Sequence, residues 1–151
     1  MFLSTLDTPL GQLFIVGDET YLYSIRFKEL RGLTPGTTAA TLFFRTELEQ
    51  YFKGNLTEFK TPLLPQGTPF QKIVWAQLQK IPFGQTVSYA EIAKAIGRPT
   101  AFRAVARANA TNPLPIVIPC HRVINSNGDL SGYNWGVERK KWLLQFEMFF
   151  F

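Results

Sequence analysis

Near the N-terminus, apolar and polar positions alternate in short runs, the period of a half-buried strand. Met1 to Asp7, Gln12 to Val16 and Tyr21 to Phe27 are such runs, the last two rich in β-branched and aromatic residues. Thr8-Pro9-Leu10-Gly11 and Gly17-Asp18-Glu19-Thr20 punctuate them as turns, so the pattern predicts a three-stranded antiparallel meander. Leu30 to Thr41, rich in Gly, Thr and Pro, reads as a loop. The period then changes. From Thr41 to Lys53, the residues Phe44, Leu48, Tyr51 and Phe52 recur on one helical face, and Gly54-Asn55 ends the helix. Leu56 to Phe59 reads as a short strand. Thr61-Pro62-Leu63-Leu64-Pro65-Gln66-Gly67 reads as a linker, which sets two domains, 1–65 and 66–151.

The second half is patterned for helices. Thr68, Pro69 and Gln71 are an N-cap, a first-position proline and the return arm of a capping box. Phe70, Ile73, Val74 and Leu78 form the expected buried stripe, and Ile81-Pro82-Phe83-Gly84 stops the helix. Ser88 and Glu91 form a second capping box, Ile92, Ala93 and Ile96 recur at helical spacing, and Gly97 ends that helix. After Arg98-Pro99, a further helix is expected from Thr100 to Ala110. Two short helices across a glycine-containing turn outline a helix-turn-helix, although plain helix packing gives the same outline. In the second of them Phe102, Val105 and Ala106 point to a core, while Arg103 and Arg107 share another face among alanines. Such a face either approaches nucleic acid or is simply solvated. Gly132-Tyr133-Asn134-Trp135-Gly136 is an aromatic loop, suited to stacking on a planar ligand or to plugging the core. A last helix begins near Val137, with Glu138 to Lys141 solvated and Trp142, Leu143, Leu144 and Phe146 apolar. Nothing in the pattern accounts for Phe149-Phe150-Phe151.

Between the helices lies a stretch with neither period. Asn112 to Val123 is an apolar run fenced by Pro113, Pro115 and Pro119, and it delivers the chain's one cysteine beside its one histidine. The prolines forbid a regular helix and would break a central strand, so an extended, irregular course is expected. Cys120 reacts only as thiolate, a minor form of a free thiol at neutral pH. Pro119 suits a first helical turn, which would set Cys120 at a helix N-terminus, and His121 is the side chain fitted to take its proton. Sequence neighbours do not face each other, so a bridging water is expected between them. The same dipeptide is also compatible with a small buried hydrophobe and a satisfied core histidine.

Composition narrows the class without choosing within it. Hydrophobic content of 46% over 151 residues supports packed cores and excludes a disordered chain. No apolar run reaches membrane-spanning length and the N-terminus lacks a secretory pattern. One cysteine excludes an internal disulfide and suits a reducing, cytoplasmic compartment, nuclear in a eukaryote. One Cys and one His exclude a structural zinc site, so no metal and no cofactor are expected. A net charge of +5 permits a polyanionic partner.

Pro119-Cys120-His121-Arg122-Val123 after Asn112-Pro113 resembles the active-site signature of the O6-alkylguanine-DNA alkyltransferases. Ile81 to Tyr89, Arg103-Ala104-Val105, Gly132 to Gly136 and Glu147 fall in that family's order at similar spacings, so the resemblance spans Thr68 to Glu147. Residues 1 to about 65 resemble its variable N-terminal domain loosely. The fold it implies is α+β: a small N-terminal antiparallel sheet with a helix, ribonuclease H-like, then a mainly helical, winged helix-turn-helix-like domain.

The activity it implies is DNA repair by direct reversal. The alkyl group of O6-alkylguanine, with O4-alkylthymine as a further substrate, passes irreversibly to Cys120 after nucleotide flipping, and one transfer spends the protein. Carried over residue by residue, Cys120 is the acceptor, His121 its base through water and Glu147 the partner of His121. Asn112 fixes the active-site turn, and Tyr89 meets the extruded guanine or its phosphate. Arg103 takes the place of the lost base, with Arg107, Thr100 and Ala104 on the DNA-binding surface. Pro115, Tyr133, Asn134 and Trp135 line the pocket. The implied partner is double-stranded DNA held in the minor groove by a monomer, with cooperativity left open; no membrane is involved. Ala106 and Phe102 depart from the family's small residues in the recognition helix, which bears on the approach to DNA and not on the chemistry. A lesion-binding branch shares the fold but lacks the acceptor cysteine. A cysteine hydrolase would need a glycine-rich oxyanion turn that is missing beside Cys120.

Overall fold

The computed structural model describes residues 1–130 and 132–150, and the chain divides into two compact units, residues 1–66 and 67–151. Phe151, part of the aromatic terminus noted above, lies outside the described residues. The first unit opens with the meander: β1 (Phe2–Thr8), β2 (Gly11–Gly17) and β3 (Leu22–Arg26). β1 and β2 pair antiparallel from Phe2 opposite Gly17 to Thr8 opposite Gly11, and β3 continues the sheet with a register shift at Val16/Gly17. The sheet is not wholly antiparallel. A two-residue strand inside the expected loop, β4 (Thr34–Pro35), pairs parallel with β1, giving the order β3-β2-β1-β4. Proline can sit there because an edge strand need not donate on its outer side.

α1 (Ala39–Phe52) starts two residues before the expected Thr41, because Thr38 caps it and Thr41 closes a capping box that the apolar pattern does not show. Its buried face carries Phe44, Leu48 and Tyr51, with Glu47 also buried. Glu47 accepts the backbone N–H groups of Lys60 and Thr61, at 2.6 and 3.1 Å, and the Thr61 hydroxyl. Leu56 to Phe59, just before these residues, forms no strand. The proline-rich stretch that follows is also tied down: Leu22 donates to Pro62 O and Leu64 to Leu22 O.

The second unit is mainly helical. Its elements are α2 (Pro69–Leu78), β5 (Val87–Ser88), α3 (Tyr89–Ala95), α4 (Phe102–Ala110), β6 (Val123–Ile124) and α5 (Val137–Phe150). Both expected capping boxes form, Thr68 with Gln71 and Ser88 with Glu91. The buried stripe of α2 is rotated from the expected one: Val74, Trp75 and Leu78 are buried, and Ile73 is exposed. Trp75 decides this. Its indole is buried and donates to Ala108 O at 2.8 Å, joining α2 to α4, and a bulky ring with a satisfied N–H outweighs one Ile. The same ring leaves no room at residue 67, where a Cβ would come within 2.5 Å of it. β5 and β6 pair parallel as a two-residue ladder.

Candidate active site

The segment before Cys120 is a succession of turns rather than an extended run. Prolines fix φ near the value that turns share with extended chain, so they did not discriminate between the two. Asn112, the second residue after α4, supplies the bonds that choose. Its side chain accepts the N–H of Leu114 at 3.0 Å and donates to Ile118 O at 2.8 Å, gripping both ends of the run. Ile118 also donates to Leu114 O at 2.9 Å. Ile116 between them has a φ of 76°, a left-handed conformation that costs an L-residue roughly 1–2 kcal/mol. Its side chain is buried, so burial opposes that cost.

Cys120 to Arg122 forms one 3-10 turn preceded by Pro119. The expected helix N-terminus at Cys120 is therefore absent, since a three-residue turn sums too few peptide dipoles to attract an anion. The thiol is 4% exposed, and burial pushes it up to about 11 despite the Asn112 side chain and the Lys140 charge, which act the other way. At pH 7 the thiol is then overwhelmingly neutral, so attack by a resting thiolate would draw on a minor form.

His121 is the fully buried neighbour. Its Nε2 lies 2.7 Å from Glu147 Oε2, and its Nδ1 is buried without a hydrogen-bond partner among the described residues. Burial lowers the His121 pKa, against the pull of Glu147, so the ring is neutral at pH 7. Burial would raise Glu147, but the charge and hydrogen bond of His121 and the bonds from Arg122 hold it well below the usual carboxylate range. Lys140, expected in the solvated stretch, is fully buried instead and donates to Val123 O. Burial brings it down to about 8. Lys140, Leu143 and Glu147 make the buried face of α5, at spacings of three and four.

Tyr89, the first residue of α3, and Tyr133, in the aromatic loop, are buried, and burial raises both phenols, with the Cys120 charge adding to each. Asn112, Tyr89, Tyr133 and Lys140 thus converge electrostatically on Cys120, while Glu147 meets His121. Pro115 is buried, Trp135 half-buried and Asn134 exposed. Arg103 and Arg107 are exposed and Ala104 half-buried on α4, away from its buried Val105, Ala108 and Asn109, and Thr100 is exposed just before the helix rather than in it as expected. Phe102 does not join the core as expected; it is 46% exposed, since it begins α4 before the buried face does. Three buried polar groups were given no role by the sequence reading: Lys140, Asn109, which donates to Cys120 O at 3.3 Å, and Arg122. Lys140 shares its helical stripe with Leu143 and Glu147, a signal visible only if charged residues are admitted to the apolar face.

Residues 69–149 match the family model of the 6-O-methylguanine DNA methyltransferase DNA binding domain, and residues 1–65 that of its ribonuclease-like domain. The chain belongs to this methyltransferase family. A methylated-DNA–protein-cysteine methyltransferase of Methanosarcina acetivorans is 43% identical, covering 97% of this chain and 98% of its own. One from Mycolicibacterium paratuberculosis is 45% identical, covering 95% and 90%. The crystal structure of Mycobacterium tuberculosis OGT in complex with DNA superposes with a TM-score of 0.93 at 42% identity, covering 99% and 94%. The 6-O-methylguanine DNA methyltransferase fold of this chain is α+β in the same sense, a sheet-bearing unit followed by a mainly helical one. Among the described residues no helix is long and apolar enough to cross a membrane.

Proposed function

We propose that this chain repairs DNA by moving the alkyl group of O6-alkylguanine onto Cys120, once per molecule. The observation that carries the reading is the buried Cys120 beside the His121–Glu147 pair, in which Nδ1 of His121 has no partner among the described residues. In this reading the thiol proton passes to His121 through water as the sulfur attacks the alkyl carbon. The S–C bond forms, the C–O6 bond breaks, and its electron pair leaves with the guanine, which takes up a proton as His121 gives one back through water, so the net proton passes from sulfur to guanine. A thioether is not undone by a water step, so the protein is consumed. The role of Asn112 is to hold the turn that aims Cys120. Tyr89 and Tyr133 have buried hydroxyl-bearing rings near the sulfur, which suits contact with a flat base; Pro115, Trp135 and Asn134 complete the pocket wall.

The substrate atom lies inside the duplex, so the nucleotide must leave the stack, at a cost of a few kcal/mol. Exposed Arg103 on α4 suits insertion in its place from the minor groove, with Thr100, Ala104 and Arg107 along the backbone. DNA contact and chemistry belong to the second domain, read from the sequence as residues 66–151 and found as the unit 67–151. We take the acting form to be a monomer in the compartment that holds the DNA. Intact mass spectrometry after incubation with a duplex containing O6-methylguanine tests the reading: a gain of one CH2 on Cys120, with no second turnover, is expected. Sustained turnover with unmodified Cys120 would refute it.

A further inference from the structure

Arg122 lies in the same turn as the acceptor and base, and its side chain is buried against Glu147. Nε donates to Glu147 Oε1 at 2.8 Å and Nη2 to Oε2 at 3.0 Å, a two-point fork. Nη1 donates to Ile81 O at 2.7 Å, and the guanidinium stands 5.8 Å from the Phe83 ring centroid. Gly84 N–H adds a further bond to Oε1 at 3.3 Å. The carboxylate therefore receives three N–H groups that have no other protonation state to offer. The contact from His121 Nε2 at 2.7 Å differs from these, because its direction is adjustable.

Two arrangements of the His121–Glu147 pair compete. In one, an ionised Glu147 accepts Nε2–H and Nδ1 keeps its lone pair. In the other, the pair holds one more proton: a carboxylic acid donates to Nε2, and Nδ1 carries hydrogen and cannot act as a base. A buried carboxyl without a cation drifts towards the second arrangement. We infer that Arg122 is a positioning residue for the transfer: by occupying both oxygens of Glu147 it keeps His121 in the form whose Nδ1 is free to take the Cys120 proton. This rests on the alkyl-transfer reading above and adds to it a residue that touches neither substrate nor sulfur. The charged groups acting on His121 are Glu147 and Lys140 from α5 and Arg122 from its own turn, where Cys120 is the neutral titratable neighbour; the lysine and arginine both disfavour an extra proton on the ring.

The test uses the fact that the chain has one histidine. Nitrogen-15 spectra of imidazole-labelled protein report the tautomer and titration of His121 without assignment, and alkylation by free O6-benzylguanine reports the rate without DNA. The parent should carry hydrogen on Nε2 and none on Nδ1 at pH 8. Arg122→Met should move the acid limb of both the titration and the alkylation rate to higher pH. The rate at pH 7 should fall about tenfold for each unit by which that limb passes pH 7, and should recover in alkali. Arg122→Lys, which keeps the charge but not the fork, should lie between and serves if Arg122→Met does not fold. An Nδ1–H tautomer in the parent would overturn the inference by itself. So would variants whose rate falls equally at every pH, as a merely structural role predicts, or whose tautomer and titration match the parent. Absence of any adduct in the parent would sink the alkyl-transfer reading instead, and the spectra would still decide the role of Arg122.

Discussion

Cys120 is held as a neutral thiol, because burial outweighs the nearby Lys140 charge and the Asn112 side chain. His121 is neutral at the same pH, because burial lowers it. Two mechanisms then separate by pH. If the small thiolate population attacks unaided, the rate should rise about tenfold per pH unit up to the thiol pKa of about 11. If His121 takes the proton, the populated species is thiol plus neutral imidazole throughout, and the rate with free O6-benzylguanine should stay nearly flat from about pH 7 to 9, although Lys140, at about 8, changes charge there. We expect the flat profile, measured by single-turnover mass spectrometry. Asn112 is the other residue with a separable effect. Asn112→Ala orphans the buried Leu114 N–H, at a cost of roughly 1–3 kcal/mol, and takes one of two donors from the Ile118 carbonyl, which keeps the Cys120 N–H at 2.7 Å. The loss should show as a lower urea midpoint with an unchanged slope, together with slower alkylation. An unchanged midpoint would mean that the turns hold without it.

At the level of elements, α4 is the informative one, since one face is packed and the other is free. Val105, Ala108 and Asn109 anchor it, while Phe102 and Arg103 stand in solvent. Phe102→Ala should therefore change stability by no more than about 0.5 kcal/mol, the usual range for an exposed site, as read from thermal denaturation. Arg103→Ala should slow repair of duplex DNA far more than reaction with the free base, which needs no flipping; equal losses would place Arg103 in folding instead. The capping boxes at Thr68 and Ser88 were legible in the sequence because they are local, three residues closing on themselves. So was the meander, whose period and turns agree. What escaped depends on partners distant in the chain. Lys140 looks solvated until α5 is laid against the Cys120 turn, and β4 has no strand character apart from its pairing with β1. The prolines before Cys120 excluded helix and sheet but left extended and turned courses open, and Asn112 decided between them through bonds that no periodicity reports. The partnership of His121 with Glu147, 26 positions apart, came from the family resemblance and not from spacing.

For the molecule as a whole, a protein used once has a product state whose stability matters as much as that of its active form. The acceptor Cys120 is 4% exposed, with Asn112, Tyr133 and Lys140 close enough to shift ionisation at the site. The thiol is neutral before reaction, so alkylation removes no favourable thiolate charge and the electrostatic part of its effect is small. Steric cost decides. Adding carbon to a packed site typically costs about 1–3 kcal/mol, because neighbours must leave their preferred rotamers. The turns around Ile116 and Asn112 have little slack to absorb the shift, since one backbone there is already left-handed and the other carboxamide is doubly bonded. Each kcal/mol lowers the melting temperature by about 2–8 °C for chains in this size range. Methylation of Cys120 should therefore lower it by several degrees, and benzylation by more, in scanning calorimetry of protein alkylated to completion. An unchanged or raised melting temperature for both adducts would show that the pocket around the sulfur is open, and that removal of the spent protein in a cell needs a signal other than a loosened fold.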